Sequence, residues 1–274
     1  MTVTQKKLLT KAVARAFIYL MMALLYLPIL IMIIYSFTAS NTMTWSGFSL
    51  ELYQRVFLDP AISRAVINTL IIATVSALLA TIIGTFTAYG LHYMRRGMRA
   101  VTDNLNQITV VNSDVVTAIA FLLLFITIRS IGIPLNDGFA TIIIAHTIIT
   151  IPYVILSVSP KIKRLNKNLY EAGLDLGATP MQTMWSVILP QLIGGMVSGF
   201  ALAFTLSLDD FVIAQFNKGT SIDTISTLIY ASASKGLEPA FRALSTIIFF
   251  TILIALVLFN TIKSKTTPKN ANRR

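Results

Sequence analysis

Long apolar runs dominate the chain, and they are continuous rather than alternating. Six reach the length of about 20 residues that a helix needs to cross a hydrocarbon core: residues 14–37, 64–91, 105–128, 138–158, 192–216 and 241–262. Continuity favours helices over barrel strands, in which lipid-facing and lumen-facing residues alternate. Two shorter stretches carry a helical pattern of their own. Ser49 to Leu58 reads as a short interfacial helix with Ser49 as its N-cap. Thr224 to Ala233 sets Ile225, Leu228 and Ile229 on one face and reads as a helix lying along the outer surface. The pattern predicts an all-α integral membrane protein forming a single transmembrane domain over residues 1–274.

Composition agrees. Soluble domains carry about 25% charged residues, whereas this chain has 12%, with 55% hydrophobic residues and a mean hydropathy of +0.75. The net charge of +11 raises the question of nucleic acid, and the placement of the charges answers it. Sixteen of the 22 Lys and Arg fall on one side of the predicted spans. They lie in the N-terminal tail (Lys6, Lys7, Lys11, Arg15), near residues 92–103 (Arg95, Arg96, Arg99), near residues 159–190 (Lys161, Lys163, Arg164, Lys167) and in the C-terminal tail (Lys263, Lys265, Lys269, Arg273, Arg274). The remaining six are Arg55, Arg64, Arg129, Lys218, Lys235 and Arg242. This bias puts both termini in the cytoplasm and makes the basic balance a topology signal rather than a nucleic-acid footprint. The basic N-terminus followed by residues 17–37 exceeds a signal-peptide core and lacks a small-residue cleavage site, so it is expected to remain as a span. Cysteine is absent, which excludes disulfides and thiolate chemistry.

The stretch from Asn168 to Gln191, within a loop of about residues 166–190, is too well punctuated for a linker. Leu169, Ala172, Gly173 and Leu176 share one face of a short helix, and Gly177 stands where a helix end favours a left-handed residue. Thr179, Pro180 and Gln182 then write a new start: N-cap, first-turn proline and capping box. Pro190 is expected to end or bend that second helix before the fifth span. The order Glu171-Ala172-Gly173, three residues, Gly177, nine residues, then Val187-Ile188-Leu189-Pro190 resembles the EAA motif of ABC importer permeases. Gly173 replaces the motif's second Ala, and is expected to loosen the helix by about 0.5–1 kcal/mol. The loop, together with AFTLSLDD at residues 203–210, Asp114 in VVNSDVVTAIA and Trp45 in TMTWSGFSLELY, is similar to the spermidine/putrescine branch of that family, most of all to the second of its two permease subunits. The branch commonly has Pro before the Asp, where this chain has Ser113.

The resemblance implies a six-helix type I ABC importer permease in a bacterial cell membrane. It implies a second permease as heterodimer partner, two copies of a cytoplasmic ABC ATPase that hold ATP-Mg, an extracellular or periplasmic polyamine-binding protein, and no cofactor on this chain. Glu171, Ala172, Gly173, Asp175, Leu176, Gly177, Ala178 and Pro190 are then the ATPase-coupling residues.

Three carboxylates fall inside apolar runs: Asp114, Asp209 and Asp210. An Asp at a helix centre costs about 2.5–3.5 kcal/mol in the bilayer, so these should face a polar path or a partner. Asn112-Ser113-Asp114 is turn-like, which suggests a broken helix of the kind found at transport sites. Adjacent helical residues point about 100° apart, so Asp209 and Asp210 cannot address one spot. Asp209, with Ser207 nearby, is the candidate for the path. Asp210 is the candidate for a partner subunit, a backbone donor or the outer vestibule. Phe211 to Phe216 read as a continuation of the span. With Asp114 these form a ladder that compensates a cation without holding it. Plainer readings stay open: Asp114 as a cap, Asp209 and Asp210 as interface markers, and Trp45 as an aromatic-belt residue rather than a stacking platform.

No HExxH, GxGxxG or P-loop is present, and no Ser–His pairing is evident around His146, which reads as a packing or hydrogen-bonding residue. Gly195-x-x-x-Gly199 can bring two helices close. A transport subunit is expected, not an enzyme and not a metal site. A permease for another cationic or small-molecule cargo, and an ion-coupled secondary transporter, are the alternatives.

Overall fold

The computed structural model describes residues 3–38, 44–166, 168–220, 222–233 and 238–266. Lys167, Lys235, Lys269, Arg273 and Arg274 lie outside the described residues. All six apolar runs are helical, and the described chain divides by its contacts into two compact units.

One unit comprises Met1–Ser63 and Ala231–Arg274. Its long helices are α1 (Val3–Ser36) and α12 (Ala240–Thr266), and both α1 and the short α2 (Glu51–Leu58) pack on α12. The helix expected from Ser49 begins two residues later. Leu50 is its N-cap, and the Ser49 hydroxyl accepts the Glu51 N–H at 3.1 Å. Leu52 and Val56 form the buried side of α2, at helical spacing. Between α1 and α2 the chain is pinned by a hydrogen bond shared by Ser36 and Tyr53 (2.8 Å) and by Phe37 stacked on Phe48.

The other unit, Arg64–Tyr230, is built around α6 (Phe139–Lys163). Ile142, Ala145, His146, Thr150, Val154, Val158 and Ile162 recur every three or four residues and form its buried face. Against it lies α9 (Leu189–Asp209), which presents Gly195, Gly199, Ala203 and Ser207, one per turn. A Cβ at Gly199 would stand 3.1 Å from Val154 Cγ1, and one at Gly195 would stand 3.0 Å from Lys161 Cγ. The small-residue spacing therefore lets the two backbones approach. The long α3 (Pro60–Tyr93) also belongs largely to this unit, and Gly84 brings it against Val154.

Two runs depart from simple spans. Residues 105–128 are not one helix. They divide into α4 (Arg96–Val111), an amphipathic helix with no buried residue, and α5 (Asp114–Ser130), bent by 106°. The break falls at Asn112 and Ser113, both extended, with no proline. Asn112 Nδ2 donates to Thr117 Oγ1 at 3.0 Å, which ties the turn to the new helix.

The fifth run is displaced at both ends. Its helix continues unbroken from Pro180 to Asp209, straight through Pro190. The stretch is α8 (Pro180–Thr183), a π-helical turn (Met184–Ile188) and α9. A wider turn just ahead of a proline accommodates its missing N–H and its ring, so Pro190 does not end the helix. At the far end α9 stops at Asp209, Asp210 is extended, and α10 (Val212–Asn217) is a separate helix packed on α5 and α6. Phe211 to Phe216 do not continue the span.

Candidate translocation site and coupling loop

The two breaks meet. A cavity of about 350 Å³ lies where α4 passes into α5 and α9 into α10, with α6 closing it. Asn112, Asp114, Thr150, Tyr153, Asp209 and Asp210 supply much of its polar lining. Among the described residues that line it there is no Lys or Arg. Asp114 occupies the first turn of α5 and is exposed, as is Asp209 at the end of α9.

Asp210 is held differently. Its Oδ2 accepts the Ala214 N–H at 2.9 Å, so it caps the start of α10. The same oxygen lies 3.2 Å from His146 Nε2, and the other ring nitrogen, Nδ1, lies 2.6 Å from Ser207 Oγ. The Asp210 side chain is 10% exposed and that of His146 1%. A Ser–His–Asp chain therefore exists, contrary to the expectation that no Ser pairs with His146. It is invisible along the sequence because 61 and 64 residues separate its members. Ser207, expected beside Asp209 on the path, is instead buried against His146 and does not line the cavity. Of the alternatives for Asp210, the structure realises the backbone donor. Trp45 is exposed, in the segment between α1 and α2 of the other unit. Among the described residues no cluster of His, Cys, Asp and Glu could hold a metal ion.

The loop at residues 168–190 takes the expected helix–turn–helix form. α7 (Leu169–Asp175) ends with Gly177 at φ 85°. The Ala178 N–H donates to the Gly173 carbonyl (3.2 Å) and the Gly177 N–H to the Leu174 carbonyl (2.9 Å), the paired bonds of a Schellman end. Thr179 and Gln182 form a reciprocal capping box: Gln182 N donates to Thr179 Oγ1 at 3.3 Å, and Thr179 N to Gln182 Oε1 at 2.8 Å. Gly173 is buried, and a Cβ there would meet Thr183 Cγ2 at 2.6 Å. The glycine that was expected to loosen α7 is what lets α7 close on α8. Leu169 packs inward, whereas Leu176 is 89% exposed, so the two do not share a packed face. Glu171, Ala172, Asp175, Leu176 and Gly177 together form an exposed knob.

An unbroken helix from just past the turn of the knob to the cavity, two broken helices around carboxylates and an apolar exterior define a membrane transport subunit. Residues 108–263 match the family described as binding-protein-dependent transport system inner membrane component, and the chain belongs to that family. It is 38% identical over 228 residues to the putrescine transport system permease protein PotI of Escherichia coli, covering 82% of this chain and 81% of that protein. It is 35% identical over 252 residues to the spermidine/putrescine transport system permease protein PotC of Haemophilus influenzae, covering 91% and 96%. Its fold is similar to that of a bacterial ABC transporter involved in the import of the acidic polysaccharide alginate, with a TM-score of 0.69 at 16% identity, covering 97% of this chain and 98% of that one. The chain is therefore a transport component rather than an enzyme, with the fold of ABC importer membrane subunits.

Proposed function

We propose that this chain forms, with a second permease subunit, the path of an ATP-driven importer for polyamines such as spermidine and putrescine. The observation that carries the cargo class is the cavity: three carboxylates and, among its described lining residues, no basic side chain. Such a lining attracts an organic polycation and repels an anion. The similar fold of an alginate importer supports reading cargo from the lining rather than from the fold. The permeases PotI and PotC, named for putrescine and spermidine/putrescine, support the same class.

The exposed knob is read as the contact for a cytoplasmic ABC ATPase, one copy for each permease, which binds ATP-Mg. Glu171, Ala172, Asp175, Leu176 and Gly177 offer the contact surface, while Gly173, Ala178 and Pro190 shape it. An extracellular or periplasmic binding protein delivers the cargo. Both termini lie in the cytoplasm, on the side that carries sixteen of the 22 basic residues. The test is uptake of labelled spermidine and putrescine into vesicles holding the complete importer with ATP, beside an amino acid and an anion. Saturable, ATP-dependent polyamine uptake is expected. ATP-dependent uptake of another cargo alone refutes the polyamine assignment, and uptake without the ATPase refutes the importer.

A further inference from the structure

The cavity reading leaves one buried group without a task. His146 sits in the first third of α6, 1% exposed, and touches both α9 and the break that follows it. We propose that His146 is a positioning residue for transport: by joining Ser207 on α9 to Asp210 beyond its end, it fixes where α9 stops and so sets how Asp209 is presented to the cavity. The proposal rests on the reading of this cavity as the cargo path.

The donor order is internally complete. A carboxylate oxygen accepts, so Nε2–H donates to Asp210 Oδ2, and Nδ1 shares its bond with the Ser207 hydroxyl, which can take either role, so both ring nitrogens are partnered. Asp210 Oδ2 also takes the Ala214 N–H, and the Asp210 carbonyl accepts from Ser226 Oγ at 2.8 Å. Residue 210 is thereby held by α6, α10 and α11 (Ile225–Ala233) at once, through His146, Ala214 and Ser226. Asp209, its chain neighbour, is exposed to the cavity, and no hydrogen bond or ion pair to its carboxylate occurs among the described residues. Its placement is therefore inherited from the anchored Asp210. Ser207 gives up the usual bond of a helical serine to the carbonyl one turn back and reaches across to the ring instead. A helix end set by a side chain from a neighbouring helix is more sharply placed than one left to fray, and carboxylates that bind a cargo need that placement.

The test uses the absence of cysteine in this chain. In the assembled importer, Asp209→Cys and, separately, Asp114→Cys are labelled with the cationic thiol reagent aminoethyl methanethiosulfonate, and the rate is read by mass on this chain. Each is combined with His146→Gln, whose amide reaches toward Asp210, and with His146→Asn, whose shorter amide reaches only Ser207. His146→Asn is expected to shift the rate at position 209 by about fivefold, what one lost buried hydrogen bond is worth, leaving position 114 as it was. His146→Gln is expected to keep the rate at 209. An unchanged rate at 209 in His146→Asn, an equal shift at 209 and 114, or an equal shift in both His146 variants overturns the proposal. Labelling needs no cargo, so a failed polyamine assay with these shifts intact removes the cargo reading and leaves the positioning role.

Discussion

Asp209 and Asp210 are adjacent and chemically identical, yet they do different things. Asp209 is exposed to the cavity, while Asp210 is nearly buried and takes two donors on one oxygen. Asp209→Asn is expected to lower polyamine uptake by about tenfold or more, because a charge-assisted contact is worth about 1.5–3 kcal/mol, while the amount of assembled complex stays the same on gel filtration. Asp210→Ala is expected to act on the fold first. It strands the His146 and Ala214 donors, at about 1–3 kcal/mol, and lowers the thermal midpoint by about 2–4 °C for each kcal/mol lost. If Asp209→Asn destabilises the complex as much as Asp210→Ala does, the division of labour is wrong. The sequence showed that two carboxylates in an apolar run need a reason, and that they point different ways. It could not show which is tied down, because the tie comes from His146, 64 residues away.

Among the elements, the helix–turn–helix loop at residues 168–190 was the most legible. Its turn depends on residues within a few positions of each other: Gly177 in the left-handed region, the Thr179–Gln182 box, and Pro180 at the helix start. Local chemistry of that kind can be read from a string. Gly173 could not, since its reason is the Thr183 side chain ten positions on. Gly173→Ala is expected to cost about 1–3 kcal/mol through overpacking and to weaken cargo-stimulated ATP hydrolysis by the assembled importer. Adding Thr183→Ser, which removes the clashing Cγ2, should restore most of it; no restoration would show that the clash is not the cause. The α6–α9 contact gives a second check. Gly199→Leu sets a side chain against Val154 and is expected to abolish assembly, whereas Gly194→Ala, whose Cβ would meet only the end of the Lys161 side chain at 3.7 Å, is expected to be tolerated. Pro190 is the counter-example to local reading. Proline in a helix ordinarily breaks it, but the π turn ahead of it keeps one continuous helix from Pro180, just past the turn of the knob, to Asp209 at the cavity.

At the scale of the whole molecule, hydrophobic runs and charge bias predict one topology. Reporter tags at the N- and C-terminus of the chain in intact cells are expected to be shielded from an impermeant protease and cleaved only after lysis; cleavage of either in intact cells would reverse the orientation. The sequence by itself determined the membrane class, the helical runs, the knob and the three carboxylates that line the cavity. Each follows from composition or from spacings of a few residues, where the physics is local: apolar length against bilayer thickness, and caps against free N–H groups. Only the tertiary structure decided where helices stop. The end of α9 and the separate α10 depend on bonds that α6 offers across space, and on small residues that let α9 come close enough to receive them. An apolar run states that a segment belongs in lipid; it carries no record of which neighbour will interrupt it.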